Sequence, residues 1–421
     1  MLKLNLRKMT ETGTDNHVFH YGWVIAGTGT LCIFACLGFG RFALGMLLPS
    51  MAEPLHLTYS QMGFISTGNF LGYLVSVFLG GLIAVRSGAR KLIFFALLLV
   101  GISMTLISTA QSYRHVLILY TLTGIGSGAS NIPMMGLVST WFARQKRGKA
   151  AGFIVIGSGF AIIVSGKLIP YINSSIGAEG WRTNWLILGV TVIMISIVCL
   201  MLLRNRPEDK GLEPVGKEYA GSLSLPGTRY TVSSIYREKA IYLLGAIYFL
   251  FGYTYVIYAT FIVTTLVQER GFSESVAGNF WSWVGLLSLF SGPIFGTLSD
   301  KIGRKVGLIT VFAFQMLAYL LVALNLPNVF LYVSIFCFGI VAWSIPSIMI
   351  AAVSDYVGAV KAVAAFGFVT FIFALGQISG PAVAGVLAEQ YGSFSSSFLM
   401  AGIMAGLAII LTTFLRSSRA E

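Results

Sequence analysis

Long apolar runs alternate with short polar breaks along almost the whole chain. Apolar segments fall near 21–48, 61–84, 91–110, 115–141, 149–171 and 183–203, and again near 240–267, 275–298, 306–325, 328–353, 362–387 and 394–415. Each is close to the ~20 residues that a helix needs to cross a bilayer core. None shows the two-residue alternation of a membrane β-barrel strand. The pattern predicts an all-α membrane protein with twelve transmembrane helices. The polar break after the sixth run divides it into an N-terminal six-helix bundle over 1–203, a cytoplasmic linker over 204–239 and a C-terminal six-helix bundle over 240–421. Pro207, Pro214 and Pro226, with many Ser and Gly, make the linker read as a solvated tether.

Composition fits this pattern: 56% of the residues are hydrophobic and 10% charged, whereas soluble domains carry about 25% charged residues. The first apolar run is too long for a signal-peptide core, so no cleavable leader is expected. The net charge of +13 would suit nucleic-acid binding in a soluble chain. Here its placement carries different information. Of the 28 basic residues, all but Arg41, Lys167, Arg114, Arg182 and Arg270 fall in segments on the side of the N-terminus. That bias places both termini in the cytoplasm and the chain, multi-pass, in the inner (plasma) membrane; anionic lipid is a secondary partner of the basic loops and nucleic acid is not expected. Cys32, Cys36, Cys199 and Cys337 all lie in apolar runs without metal-type spacing. No phosphate-binding glycine loop occurs. No cofactor or metal is expected, and the chain is expected to act as a monomer.

The two halves repeat. "GGLIAVRSGARK" (80–91) lies over "FGTLSDKIGRK" (295–305), "GLVSTWF" (136–142) over "AAVSDYV" (351–357), "NIP" (131–133) over "SIP" (344–346) and "GWRTNWLILG" (180–189) over "SFSSSFLMAG" (393–402), all at shifts of 213–215. A duplicated six-span unit puts a cavity at the interface of its two copies, near mid-membrane. These stretches, with "WFARQKRGKAAG" (141–152) and "LLRNRPEDKGLEP" (202–214), resemble the major facilitator superfamily (MFS) over nearly the whole chain. "GRFALGMLLPSM", "YSQMGF" and "GNFLGYL" look most like its YbfB/YjiJ-type bacterial subfamily. The resemblance implies the MFS fold, two pseudo-symmetric six-helix bundles working by alternating access. It also implies a cytoplasmic latch, here Gly296, Asp300, Gly303, Arg304 and Asp355. The first-half copy of that latch departs from the family: Val85 stands at the family's Asp and Ala89 at an Arg. Either the latch is weakened there, or Arg86, Arg90 and Lys91 serve topology alone.

Only Arg41 and Lys167, among all Asp, Glu, Lys, Arg and His, fall well inside the apolar runs. A charge in hydrocarbon costs from ~3 to over 10 kcal/mol, depending on the scale, and no acid accompanies either one. Each lies 18 residues beyond an inner-interface marker, Trp23 and Lys149, so both are expected in the outer half and flanking one pocket. Their functional reading is neutralisation of a small organic anion, such as a monocarboxylate or aromatic acid. The alternatives are structural: backbone hydrogen bonds for Arg41 beside Gly38, Gly40 and Gly45, and snorkelling for Lys167. Candidate lining residues are Asn69, Tyr73, Asn131, Tyr255, Tyr258, Asn279, Trp283 and Gln377, with Trp343 also noted; each can equally be packing or interhelical glue. "GQISGPAVAG" (376–385) reads either as a bending element or as close packing. Without a core carboxylate or histidine there is no ordinary proton relay, which argues against a cation/proton antiporter and against an intramembrane enzyme. Open drives are anion exchange, uniport, or symport with a proton carried by substrate or Lys167. Two other functions stay open: export of a neutral or amphipathic compound with Arg41 structural, and a non-transporting membrane sensor on a transporter fold.

Overall fold

The computed structural model describes residues 20–216, 238–324 and 326–415, without the side chains at 78–86 and 359–360. Among the described residues there are twelve long helices. The first bundle holds α1 (Tyr21–Ala52), α2 (Tyr59–Ser87), α3 (Ala89–Ile107), α4 (Tyr113–Trp141), α5 (Arg144–Ile176) and α6 (Gly180–Leu202). The second holds α7 (Lys239–Glu269), α8 (Glu274–Ile302), α9 (Arg304–Ala323), α10 (Val329–Val357), α11 (Ala359–Tyr391) and α12 (Ser395–Thr413). The described parts of ten are long and apolar enough, by length and composition, to cross a membrane. In α4 the run "TGIGSGASN" dilutes the apolar content with small polar residues.

Pairing inside the bundles follows the sequence repeat. α1 packs on α5 as α7 does on α11, α2 on α4 as α8 on α10, and α3 on α6 as α9 on α12. The repeat survives in detail at the end of the bundles that carries the start of α1, here called the basic end. Arg90 Nε donates to the Leu200 carbonyl at the end of α6, and Lys305 Nζ donates to the Thr413 carbonyl at the end of α12. Gly88 and Gly303 make the tight turns before these residues at φ 78° and 89°, a conformation that favours glycine. The position of Arg304 is Ala89 in the first half, so the Asp–Arg pairing has no counterpart there; Val85 and Arg86 lie outside the described side chains.

Two seams join the bundles. At the α5–α8 seam Gly159 faces Gly285 and Gly166 faces Gly278; a Cβ on Gly278 would stand 2.1 Å from the Gly166 carbonyl oxygen. At the α2–α11 seam a Cβ on Gly63 would stand 2.3 Å from the Pro381 carbonyl oxygen. Further along α11, Gly376 and Gly380 bring its other side onto the α7 backbone at Phe249 and Tyr253. The small residues of "GQISGPAVAG" therefore serve close packing, within one continuous helix.

Hydrogen bonds across the seams sit toward the end away from the basic loops. Ser60 N donates to Glu389 Oε2 at 2.8 Å, Asn173 Nδ2 to Glu274 Oε2 at 2.7 Å, and Thr67 Oγ1 to the Ile378 carbonyl at 2.9 Å. The basic end instead opens into a cavity of about 700 Å³ between α5, α8 and α10.

The first part of the expected tether is docked. Arg204–Gly216 runs along the basic end of the first bundle through a 3₁₀ turn, Pro207–Lys210. Val215 pairs with Trp141 and Ala143 by two backbone bonds, His20 bonds the Glu213 carbonyl, and Trp141 Nε1 donates to the Arg204 carbonyl. Residues 217–237 lie outside the described part.

Candidate substrate site

Across the middle of α1, the segment "FACLGFGRF" (Phe34–Phe42) winds as a π-helix. Such turns free carbonyls from the helical ladder and are frequent at functional sites. Here side chains of α2 and α4 meet three of them. Ser127 Oγ donates to the Cys36 carbonyl at 2.7 Å, Asn69 Nδ2 to the Gly40 carbonyl at 3.1 Å, and the Tyr120 hydroxyl to the Arg41 carbonyl at 2.8 Å. Gly38 lets the segment press on α5, where a Cβ would stand 2.1 Å from the Ala161 Cβ. The turn that carries Arg41 is thus held from three sides.

The Arg41 guanidinium lies over the Phe70 ring at 4.6 Å and the Tyr73 ring at 4.3 Å, and it interacts with the Tyr255 hydroxyl. Its Nε and Nη2 atoms are buried and have no hydrogen-bond partner. Among the described residues no ion pair involves it. Nε–H and Nη2–H share one edge of the guanidinium, the edge that takes a carboxylate in two parallel bonds. Arg41 lines a cavity of about 10 Å³, room for one water, walled also by Ser66, Asn69 and Phe70 of α2 and by Tyr255 and Thr260 of α7. Both halves therefore contribute to it. The Tyr255 hydroxyl accepts from Gln377 Nε2 at 2.5 Å, and Tyr73 accepts from Asn131 Nδ2 at 2.7 Å. Asn69, Tyr73, Asn131, Tyr255 and Gln377 thus gather around Arg41, in its cavity or bonded to residues that touch it.

The other expected candidates lie elsewhere. Lys167 is exposed on the α5–α8 seam, where Nζ donates to Asn279 Oδ1. Neither lines the Arg41 cavity, so the two cations do not flank one pocket: α5 turns Lys167 toward α8 while its glycines meet the α8 backbone. Trp283 is 56% exposed on the outside of α8, so it faces away from the interior. Tyr258 is packed inside the second bundle, stacked on Phe338 at 4.0 Å with its hydroxyl on Ser334 at 2.8 Å; it is a core residue. In the expected latch, Arg304 pairs with Asp300 and with Asp355 at 3.2 Å and donates to Ser299 at 2.8 Å, while the Ser299 hydroxyl donates to the Gly296 carbonyl. Among the described residues these bonds brace α8, α9 and α10 to one another and do not reach the first bundle.

Phe70, Ser66, Tyr120 and Thr260 carry no charge or motif that marks them in the sequence. Phe70 and Tyr73 lie one helical turn apart, and Ser66 one turn before Phe70, a spacing that could have marked one face of α2. Nothing in the sequence said which face meets Arg41.

α10 is also interrupted. Ala342 and Trp343 leave the helix, with Trp343 at φ −114°, ψ 18°. The break is pinned to α8: Trp343 N donates to Ser291 Oγ at 3.1 Å and Ser344 Oγ to the Ser291 carbonyl at 3.0 Å.

A family profile described as "Uncharacterised MFS-type transporter YbfB" matches residues 33–413. The chain is 26% identical to the hexuronate transporter of Bacillus subtilis over 88% of its own length and 90% of that protein's. It is 21% identical to the probable sulfoacetate transporter of Cupriavidus necator over 92% of both. Its structure superposes on that of a bacterial homolog of the human lysosomal transporter Spinster, inward-facing and occupied, with a TM-score of 0.74 over 94% of this chain and 96% of that one, at 14% identity. A twelve-helix fold in two matched bundles and a profile match across nearly the whole chain agree on a transporter and leave no place for an enzyme. The chain belongs to the major facilitator superfamily, in its YbfB-type family.

Proposed function

We propose that the protein is a secondary transporter of a small organic anion bearing one carboxylate or similar group, working by alternating access in the inner membrane with both termini cytoplasmic. The observation that carries this is the unpartnered Nε/Nη2 edge of Arg41, buried between two bundles that offer it no acid. Magnitudes favour a ligand over a purely structural arginine. Two cation–π contacts contribute ~0.5–2 kcal/mol each. Two buried, unmet donors of a charged group cost ~1–3 kcal/mol each or more, and rings cannot satisfy them. One cation without a second beside it matches a monoanion better than a dianion. The names of two relatives point to organic anions, hexuronate with one carboxylate and sulfoacetate with a carboxylate and a sulfonate, which supports an anionic substrate though not its single charge. The units that move are the bundles 1–203 and 240–421, joined by the 204–239 linker. With the basic end cytoplasmic, seams bonded at the far end and a cavity at the basic end describe an inward-facing state.

The test is counterflow in proteoliposomes, after a thermal-shift screen of acids against their uncharged amides. Arg41→Gln is expected to cut uptake of the stabilising acid about 100-fold or more, and Arg41→Lys to restore part of it, since a point charge lacks the two-bond geometry. Normal uptake by well-inserted Arg41→Gln overturns the anion assignment and favours a neutral substrate. Saturable binding without flux would favour a sensor.

A further inference from the structure

The Arg41 cavity is far smaller than the ~300–1,000 Å³ of ordinary small-molecule sites. A substrate can reach the guanidinium edge only if a wall moves. The far end is closed by the seam bonds, and Gly45 there packs on the α7 backbone, its Cβ position 2.6 Å from the Ala259 carbonyl oxygen. On the basic side the wall is thin. Phe42 and Tyr255 line the small cavity. Trp343 lines the large one and touches both: its ring centroid is 5.2 Å from that of Phe42 and 5.8 Å from that of Tyr255. Phe42 ends the π-helical segment of α1, and Trp343 occupies the break in α10. The partition is therefore made where two interrupted helices, one from each bundle, meet ring to ring. Broken helices at mid-membrane are tolerated where they line a cavity.

A second observation bears on the same residue. The indole Nε1 of Trp343 is buried and has no partner. Trp181 and Trp281 share this feature inside the bundles; what sets Trp343 apart is its place between the two cavities. Trp343 stands between the large cavity, where Lys149 is exposed, and the residues that line the small one, so it brings an unpaired donor to the partition.

We propose that Trp343 is a second substrate-contacting residue and the movable wall of the Arg41 site: the anion passes from the large cavity to Arg41 by displacing the Phe42–Trp343 contact, and the indole N–H takes one of its acceptor atoms. The donor role rests on the anion reading above; the wall role does not.

The full-length protein carrying Ser66→Cys, inside the small cavity, is modified by methanethiosulfonates bearing either a sulfonate or a trimethylammonium group. The native cysteines are buried, and the parent chain measured alongside gives their background. Ser347→Cys, in the large cavity, reports that the basic end is open and the fold intact, and is expected to react quickly in every background. Trp343→Ala is expected to speed modification at position 66 at least 10-fold with both reagents, and Phe42→Ala to do the same from the other side of the contact. Trp343→Phe keeps the wall and loses the N–H, so modification stays slow while the preference for the sulfonate reagent falls at least 2-fold. The proposal is overturned if Trp343→Ala and Phe42→Ala leave the rate at position 66 unchanged, if position 347 reacts slowly in the parent, or if Trp343→Phe keeps the full sulfonate preference. Arg41→Gln in the same assay separates the two ideas. Loss of sulfonate preference with Trp343 intact supports the anion reading. Its persistence overturns that reading and leaves the wall result standing.

Discussion

Arg41 is defined as much by what is missing around it as by what touches it. Two rings of α2 contact its guanidinium, a π-turn fixes its backbone, and one hydrogen-bonding edge is left over. Asn69 is the sharpest probe of that balance. Its amide props the Gly40 carbonyl while its Oδ1 is buried and unpaired beside the same cavity. Asn69→Asp places a carboxylate where the anion would bind. It is expected to pair with Arg41 and abolish anion uptake, leaving the protein folded. Asn69→Ala removes the amide's two bonds, to the Gly40 and Tyr120 carbonyls, and is expected to lose ~10-fold or more, at about 1 kcal/mol for each buried bond. Equal losses in the two variants, measured by counterflow, would mean that Asn69 acts through the backbone alone. The sequence made Arg41 legible because a lone charge in an apolar run is costly. It could not distinguish Asn69 and Tyr255 from Tyr258 and Trp283, since polar and aromatic residues on a membrane helix look alike until the neighbour of each face is known.

Among the elements, two helices carry a discontinuity near the site and four pack at the seams on glycine. α1 and α10 are broken at Phe34–Phe42 and at Ala342–Trp343. α5, α8, α2 and α11 are continuous and press backbone on backbone at the seams. Gly278→Ala puts its Cβ 2.1 Å from a carbonyl oxygen across the α5–α8 seam, and backbone cannot rotate away as a side chain can. The expected result is a lower melting temperature, by several degrees, and slowed transport. Gly367→Ala in α11, with open space at its Cβ, is the control and is expected to change neither. An unshifted melting curve for Gly278→Ala would show that the seam is looser than its geometry. Glycine spacing on a sequence cannot separate such a seam from a bending hinge, because both need small residues; only the opposed backbone at Gly166 and Pro381 decides for packing.

On the scale of the molecule, the far end is closed by two carboxylates of the second bundle, one per seam, each receiving a hydrogen bond from the first. They occupy related places in the repeat, Glu274 at the start of α8 against the end of α5, and Glu389 at the end of α11 against the start of α2. Removing both, Glu274→Ala with Glu389→Ala, is expected to favour opening at that end. A pair of spin labels on the exposed positions Ser175 and Ser275 would then show a longer distance than in the parent chain. An unchanged distance distribution would leave the glycine seams as the dominant closure. The Asp300–Arg304–Asp355 brace, confined to the second bundle here, is expected to be indifferent to this change.

Twelve spans, their division into two repeated halves and the lone cation of α1 follow from the sequence by itself, because membrane insertion reads length, apolarity and charge locally along the chain. The tertiary structure decided which polar residues share a cavity with Arg41 and which face the outside or the core. It also decided that Lys167 stands apart, that the strap 204–216 is docked, and that Phe42 meets Trp343. Those outcomes depend on helix rotation and on contacts between residues hundreds of positions apart. In a bundle where nearly every face is apolar, the pattern along one helix leaves its rotation undetermined.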